Sequence, residues 1–420
     1  MSSKHKGTWR ANLMWFAAST FYLYEYFVRV MPSVMEEELQ THFVVGAGVL
    51  AGSLGMYYFI YSPMQMIVGA IFDSFGGKRI IVAACVIVAL GCFLPSISTQ
   101  TLALMTAGRF LMGLGSAFGF VGCVYLSTVW FHPKQLALLA GLTTMLGMIG
   151  AIIGQAPLSF LVDNIGWQRS WAVAGWLGIA CTVMLLLLIP RTPTTEVDRR
   201  KAFRGSTPFA NICKSLFAVL KNPQTWLIGL VGGCLYLPLT VFADLWGIQY
   251  IRHVAGITKQ EAASVVAMLY LGWLIGSPFA GWFSDYIGMR AGLMKWGTFL
   301  CFLLLSGMLL FNNIPPMALG TLLFLIGLFS SSEILAFIMG LEANPDFARG
   351  SAVAVVNMII MLLGALFQPI VGILLDWQAQ DFSEIGLYSA SDYRVAMSVL
   401  PLMMGFGLVL SFALKDKKVK

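Results

Sequence analysis

Twelve apolar runs, each close to the length of a membrane-spanning helix, leave this chain few folds to adopt. A helix needs about 20 predominantly apolar residues to cross a bilayer. The runs lie near 12–33, 46–72, 80–98, 102–130, 136–162, 169–190, 225–250, 261–285, 291–312, 315–341, 350–375 and 393–414. They show no strand-period alternation, which argues against a barrel. Only 11% of the residues are charged, whereas a soluble domain carries about 25%. The expected fold class is therefore an all-α integral membrane protein with twelve transmembrane helices.

The net charge of +7 raises nucleic acid as a partner, but its placement argues otherwise. With the N-terminus set in the cytoplasm, 20 Lys and Arg fall on the cytoplasmic side and 4 on the other, with Arg29 and Arg109 inside spans. This bias places both termini in the cytoplasm. The lipid bilayer is the expected partner, anionic headgroups included, and no nucleic acid. The first apolar run is too long for a signal-peptide core and has no small-residue cleavage pattern after it, so it reads as an uncleaved first span. The seven cysteines contain no C-x-x-C, which favours small buried residues over a metal site or a disulfide. No cofactor or metal is expected, and no nucleotide-binding signature is present.

A repeat divides the chain. Gly69-Ala-Ile-Phe-Asp73-Ser-Phe-Gly76-Gly-Lys78-Arg79 returns as Gly281-Trp-Phe-Ser-Asp285-Tyr-Ile-Gly288-Met-Arg290, 212 residues later. Pro133 and Pro345 repeat at the same offset; Gln155 with Gln368 and Asp163 with Asp376 repeat at 213. Coincidences at one offset indicate a duplicated six-helix unit. The expected division is an N-terminal bundle over 1–190, a cytoplasmic linker over 191–224 and a C-terminal bundle over 225–420. The linker holds an amphipathic stretch bounded by Thr207-Pro208 and Asn222-Pro223. Phe209, Ile212, Cys213, Leu216, Phe217 and Leu220 share its apolar face, as in a helix lying on the inner leaflet.

The two loops resemble the signature of the major facilitator superfamily, and the resemblance covers essentially the whole chain. Arg109-Phe-Leu-Met-Gly113-Leu-Gly115-Ser-Ala117 is similar to the family's R-x-x-x-G-x-G-x-A motif. Gly147, Gly150, Gly154 and Pro157 form a looser relative of its glycine-proline motif. Departures are Ser74 and Tyr286, where a basic residue often follows the aspartate, and Met112 in place of a common glutamine. The resemblance implies two pseudo-symmetric six-helix bundles and a secondary transporter working by alternating access. Gly69, Asp73, Gly76, Lys78, Arg79, Gly281, Asp285, Gly288 and Arg290 would then be gating residues. The physics agrees, since small residues let helices approach closely and an aspartate at a helix end can meet a helix N-terminus or a cation across the halves. A solvated loop charge is the plainer alternative for Asp73 and Asp285.

Charges inside spans are costly and mark functional candidates. Glu25 and Arg29 are four residues apart, on one helical face with Tyr22, Tyr26 and Ser33. Phe21, Val28 and Met31 hold the opposite face, so the polar stripe is expected to line a central cavity. In the functional reading, Arg29 grips a substrate carboxylate and Glu25, deprived of its partner, accepts a proton. In the structural reading the pair only neutralises itself, although buried pairs are weak stability devices. Arg29-Val-Met-Pro-Ser33-Val also resembles the R-V-N-L-S-V stretch of the superfamily's anion:cation symporters, which implies an organic anion, with the acidic residue displaced to Glu25.

Glu333, in Ser330-Ser-Ser-Glu333, is a second proton-site candidate, because burial disfavours the ionised carboxylate. The alternative is a neutral carboxyl held by the neighbouring serines. Asp244, near the outer end of its span, suits a gate, a water-facing site or a substrate contact, and with Arg109 it joins Glu25 and Glu333 among the proton-coupling candidates. Arg109 is expected to pair with Asp244 or Glu25. Gln155, Gln368 and Asn357 are candidate substrate contacts, with helix–helix bonding the blander role. Trp167, Trp171, Trp246 and Trp377 suit an interfacial belt.

The leading expectation is a proton-coupled symporter of a small organic anion, carboxylate or amino-acid-like solute, acting as a monomer and not as an enzyme, in a bacterial inner membrane, with a eukaryotic organelle membrane as the alternative. Its rivals are a proton-antiport exporter of drugs or a siderophore, a dipeptide transporter, and a membrane sensor or scaffold.

Overall fold

The computed structural model describes residues 9–99, 101–132, 135–189, 208–311, 314–379 and 388–416; for residues 70, 73, 74, 137 and 208–212 it describes the backbone alone. All regular elements among these residues are helices. In the first half they are α1 (Trp9–Val30), α2 (Glu36–Phe43), α3 (Ala47–Phe75), α4 (Gly77–Ser96), α5 (Leu102–Trp130), α6 (Leu136–Ile153 and Ala156–Ile165) and α7 (Trp167–Leu188). After the linker helix α8 (Pro208–Leu220) come α9 (Pro223–Ala255), α10 (Lys259–Ile287), α11 (Arg290–Leu310), α12 (Pro316–Ala343), α13 (Arg349–Gln378) and α14 (Ala390–Ser411).

Ten of these helices are long and apolar enough to cross a membrane, and α3 makes eleven when counted with α2, from which it turns by 116°. α1 is not among these, since its 22 residues include Arg10, Glu25 and Arg29. Its length still suffices, since 1.5 Å per residue gives about 33 Å. A 3-10 turn with Pro32 in its first positions, Met31–Val34, separates α1 from the short α2.

Glycine governs how closely these helices pack. In α5, a Cβ on Gly115 would point at the Ala84 carbonyl of α4, and one on Gly113 at the Tyr57 carbonyl of α3. In the second half, Gly327 of α12 meets the Leu269 carbonyl of α10 in the same way. Positive φ explains the second glycine of each repeated loop: Gly76 has φ +84° and Gly288 φ +67°, values that other residues rarely adopt.

Several spans are interrupted where they reach the centre. α5 is broken after Ser116, α6 at Gln155 and α12 by the 3-10 turn Ser331–Glu333, while α9 is π-helical from Pro238 to Trp246. α13 runs through Pro369 as one helix. Trp377 is exposed, as a belt position requires, but Trp171 and Trp246 are fully buried and Trp167 nearly so. These three pack inside the protein, so the interfacial expectation fails for them. α8 places Leu216, Val219 and Leu220 against Ala348, Ala352 and Val355 at the start of α13, and leaves Phe217 exposed. The side chains of Phe209 and Ile212, expected on the same face, lie outside the described residues.

Candidate functional site

The polar stripe of α1 meets α3 and α9 at the seam between the halves. Arg29 is 1% exposed and ion-pairs with Glu25. Its Nε donates to the Tyr57 hydroxyl at 3.3 Å, and Nη1 to Tyr236 of the second half at 3.4 Å. The guanidinium carbon lies 4.1 Å from the Tyr26 ring centre, 5.2 Å from Tyr61 and 5.5 Å from Tyr57. Tyr26 and Tyr236 hydroxyls bridge the halves at 3.2 Å. Tyr22 packs on Tyr26, with ring centres 5.0 Å apart. The cage therefore holds one cation among rings, with hydroxyls turned toward it, which suits a guanidinium.

Glu25 is fully buried. Its Oε1 accepts from Tyr57 at 3.1 Å, and its Oε2 has no partner among the described residues. That oxygen faces Gly119, just past the break in α5; a Cβ there would lie 2.6 Å from it. An unsatisfied carboxylate oxygen in such a setting is costly.

Asp244 is 3% exposed rather than turned to outer water. Tyr58 of the first half donates to it, and Tyr270 of α10 does so at 2.6 Å. The π-helical stretch swings this carboxylate in toward the seam, a register that span-level reading could not supply. Arg109 also departs from expectation, since its donors go to backbone carbonyls instead of Asp244 or Glu25. They reach Leu54 at 3.1 Å, Val28 at 3.2 Å and Arg29 at 3.4 Å. It clamps α1 and α3 together. The side chain of Glu333 is buried and makes no hydrogen bond among the described residues, while Ser331 and Ser332 bond to the carbonyls of Leu328 and Phe329 instead. The serines therefore do not hold it.

Gln155 donates to Ser33 at 3.3 Å and Gln368 to the Thr240 carbonyl at 2.6 Å. Each ties a helix to another of its own half. Asn357 is half-buried. Sequence reasoning missed Tyr57, Tyr58, Tyr61, Tyr236 and Tyr270. The available signal was Tyr-Tyr-x-x-Tyr at 57, 58 and 61, one helical face of hydroxyls in an apolar span.

At the repeated loops, Gly69 and Gly281 are open: a Cβ on either would meet nothing within 4 Å. Asp285 pairs with Arg290 of its own loop at 3.3 Å, and Arg290 also pairs with Glu342. Lys78 donates to the Leu186 carbonyl at 2.7 Å, and Arg79 is exposed. The Asp73 side chain lies outside the described residues. At the opposite end the halves are joined: Arg252 pairs with Glu37, and Lys259 pairs with Glu38 and Asp163. A cavity of about 660 Å³ beside these pairs is lined by Thr41, His42 and Trp167 as well. The two halves are thus tied together at the end away from the loops.

Residues 14–369 match the family model described as the Major Facilitator Superfamily. The chain belongs to this superfamily. It is a multi-pass membrane transporter of the superfamily's type, as the loop signature implied. Among curated proteins it is 22% identical over 290 residues to the probable sulfoacetate transporter SauU of Cupriavidus necator, covering 64% of each chain and so under two thirds of that protein. It is 24% identical over 266 residues to the sialic acid transporter NanX of Escherichia coli, covering 60% of this chain and 61% of that one. Among solved structures, a bacterial homologue of the human lysosomal transporter Spinster, in an inward-facing and unoccupied conformation, superposes with a TM-score of 0.78 at 14% identity and 97% coverage of both chains. A mutant of the nucleoside transporter NupG gives 0.71 at 14% identity, covering 96% of this chain and 98% of that one. At such identity these structures speak to the fold alone.

Proposed function

We propose that this superfamily member is a proton-coupled symporter of a small organic anion, working by alternating access in a cell membrane with both termini cytoplasmic. The observation that carries the reading is the Arg29–Glu25 pair, buried among tyrosines of both halves. An entering carboxylate or sulfonate competes with Glu25 for the guanidinium, for which bidentate anion binding is the preferred geometry. Glu25, left buried beside an anion, takes up a proton. The exchange leaves the site's net charge unchanged, so the loaded carrier moves through the membrane without a new buried charge. Likeness to proteins named as sulfoacetate, anion and sialic acid transporters supports an acidic solute.

The test is thermal unfolding of the purified protein against organic acids, sulfonates, amino acids, dipeptides and lipophilic cations at two pH values. Ligands that bind the native state raise its apparent stability. Stabilisation by an acid is expected, and it should vanish in Arg29→Ala. Stabilisation by lipophilic cations alone would overturn the anion reading. In uptake assays Arg29→Ala and Glu25→Gln should each lose transport while still folding; normal uptake in both variants would sink the exchange.

A further inference from the structure

The repeat contains one pair that the central site does not use. Gln155 and Gln368 act inside their own halves, but Asp163 and Asp376, eight residues beyond each, reach across the seam. The Asp376 carboxylate accepts from the backbone N–H of Ala47 and of Gly48, both at 2.8 Å, and from the Tyr388 hydroxyl at 2.6 Å. Asp163 ion-pairs with Lys259 at 2.9 Å and accepts from Gln260 at 3.4 Å. Ala47 and Gly48 begin α3; Lys259 and Gln260 begin α10 and stand 212 positions later. Each duplicated aspartate thus meets the same two positions at the start of the opposite half's equivalent helix.

The chemistry differs between the copies for a visible reason. α3 starts at Gly46, which has no capping side chain, so its first N–H groups are free to be capped in trans. A Cβ on Gly46 would lie 2.6 Å from the Asp376 carboxylate, so a larger residue there would push that carboxylate off the N–H groups. α10 starts at Thr258, whose own capping box with Glu261 already fills that role. Asp163 is left with side chains, and takes Lys259.

We propose that Asp163 and Asp376 are paired latch residues of the outer face: each holds the outer end shut by binding the start of the opposite half's helix, and both must release for that face to open. The latch rests on the alternating-access reading above. The Asp376 carboxylate on two helix-terminal N–H groups is a strong, oriented contact; separating the halves breaks it together with the side-chain pairing of Asp163 to Lys259. The Asp376 arm is largely shielded from salt by its backbone partners, whereas the Asp163 arm is a partly exposed ion pair that salt weakens.

The experiment uses two cysteine reporters in a Cys213→Ser background, because the other native cysteines are buried. Gly55→Cys sits on the α3–α13 seam, where its Cβ would lie 3.7 Å from the Ala365 carbonyl without a clash. Gly281→Cys reports on the open loop end. Maleimide labelling rates are read on the purified full chain, with thermal unfolding to confirm folding. Asp376→Asn is expected to speed labelling at Gly55→Cys about fivefold or more and to slow it at Gly281→Cys, as a shifted two-state equilibrium requires. Asp163→Asn should shift both in the same directions at low salt and lose most of its effect at high salt. Asp376→Glu, which keeps the charge, should stay closer to the parent than Asp376→Asn. Unchanged rates at both reporters in the folded Asn variants would overturn the latch, and so would rates that rise together, the mark of general loosening. If the parent protein shows no exchange between the two reporters with any ligand or pH, alternating access itself fails, a result distinct from the failure of the latch alone.

Discussion

Arg29 and Arg109 are both buried in the first half, yet their surroundings give them different tasks. Arg29 faces hydroxyls, rings and one carboxylate, which in the proposed exchange an incoming anion replaces. Arg109 spends its donors on three main-chain carbonyls that nothing mobile can replace. Arg109→Ala is therefore expected to destabilise the fold by about 2 kcal/mol or more, through lost ties between α1 and α3. Arg29→Ala should cost less, because Glu25 can protonate once its partner is gone. Thermal unfolding of the two variants gives the order, and a reversed order would exchange the roles. That Arg29 and Glu25 share a face was legible in their spacing of four. Which arginine would be available to substrate was not, because it depends on carbonyls supplied by residues 55 to 81 positions away in sequence.

At the scale of elements, glycine separates packing from movement. Gly113 presses against the Tyr57 carbonyl and Gly69 faces open space, although both belong to motifs visible in sequence. Gly113→Val should lower stability by about 1–3 kcal/mol, as overpacking at a tight contact does. Gly69→Ala and Gly281→Ala should leave stability within about 0.5 kcal/mol but slow transport, if these positions close against the other half in the opposite state. Unfolding and uptake measured on the same preparations separate the cases. A large stability loss at Gly69 would contradict the open space seen here. Broken helices were harder to foresee than whole ones. Gln155 and Ser331–Glu333 lie in runs whose hydrophobicity continues through the break, and hydrophobicity is blind to the backbone turn.

For the whole molecule, the proposed exchange at Arg29 and Glu25 makes a quantitative demand. One proton taken up per monoanion keeps the loaded site neutral relative to the empty one. Uptake into vesicles should then follow the pH gradient and ignore an imposed membrane potential, which otherwise contributes about 2.3 kcal/mol per elementary charge for each 100 mV. A potential-driven uptake at zero pH gradient would require a different stoichiometry or coupling ion.

The sequence by itself determined the membrane class, the helical content, the duplication and the repeated loops. Each of these is written locally, in runs of about 20 apolar residues, in the cost of a charge inside them, and in glycine where φ must be positive. Only the tertiary structure decided which polar groups meet. The tyrosine cage draws on α1, α3 and α9, Asp244 is turned to the first half by a π-helical stretch, and Asp376 caps a helix that begins 329 residues before it. Such contacts depend on how two bundles are rotated against each other, and that angle is set by the summed packing of whole helix faces, which no single motif encodes.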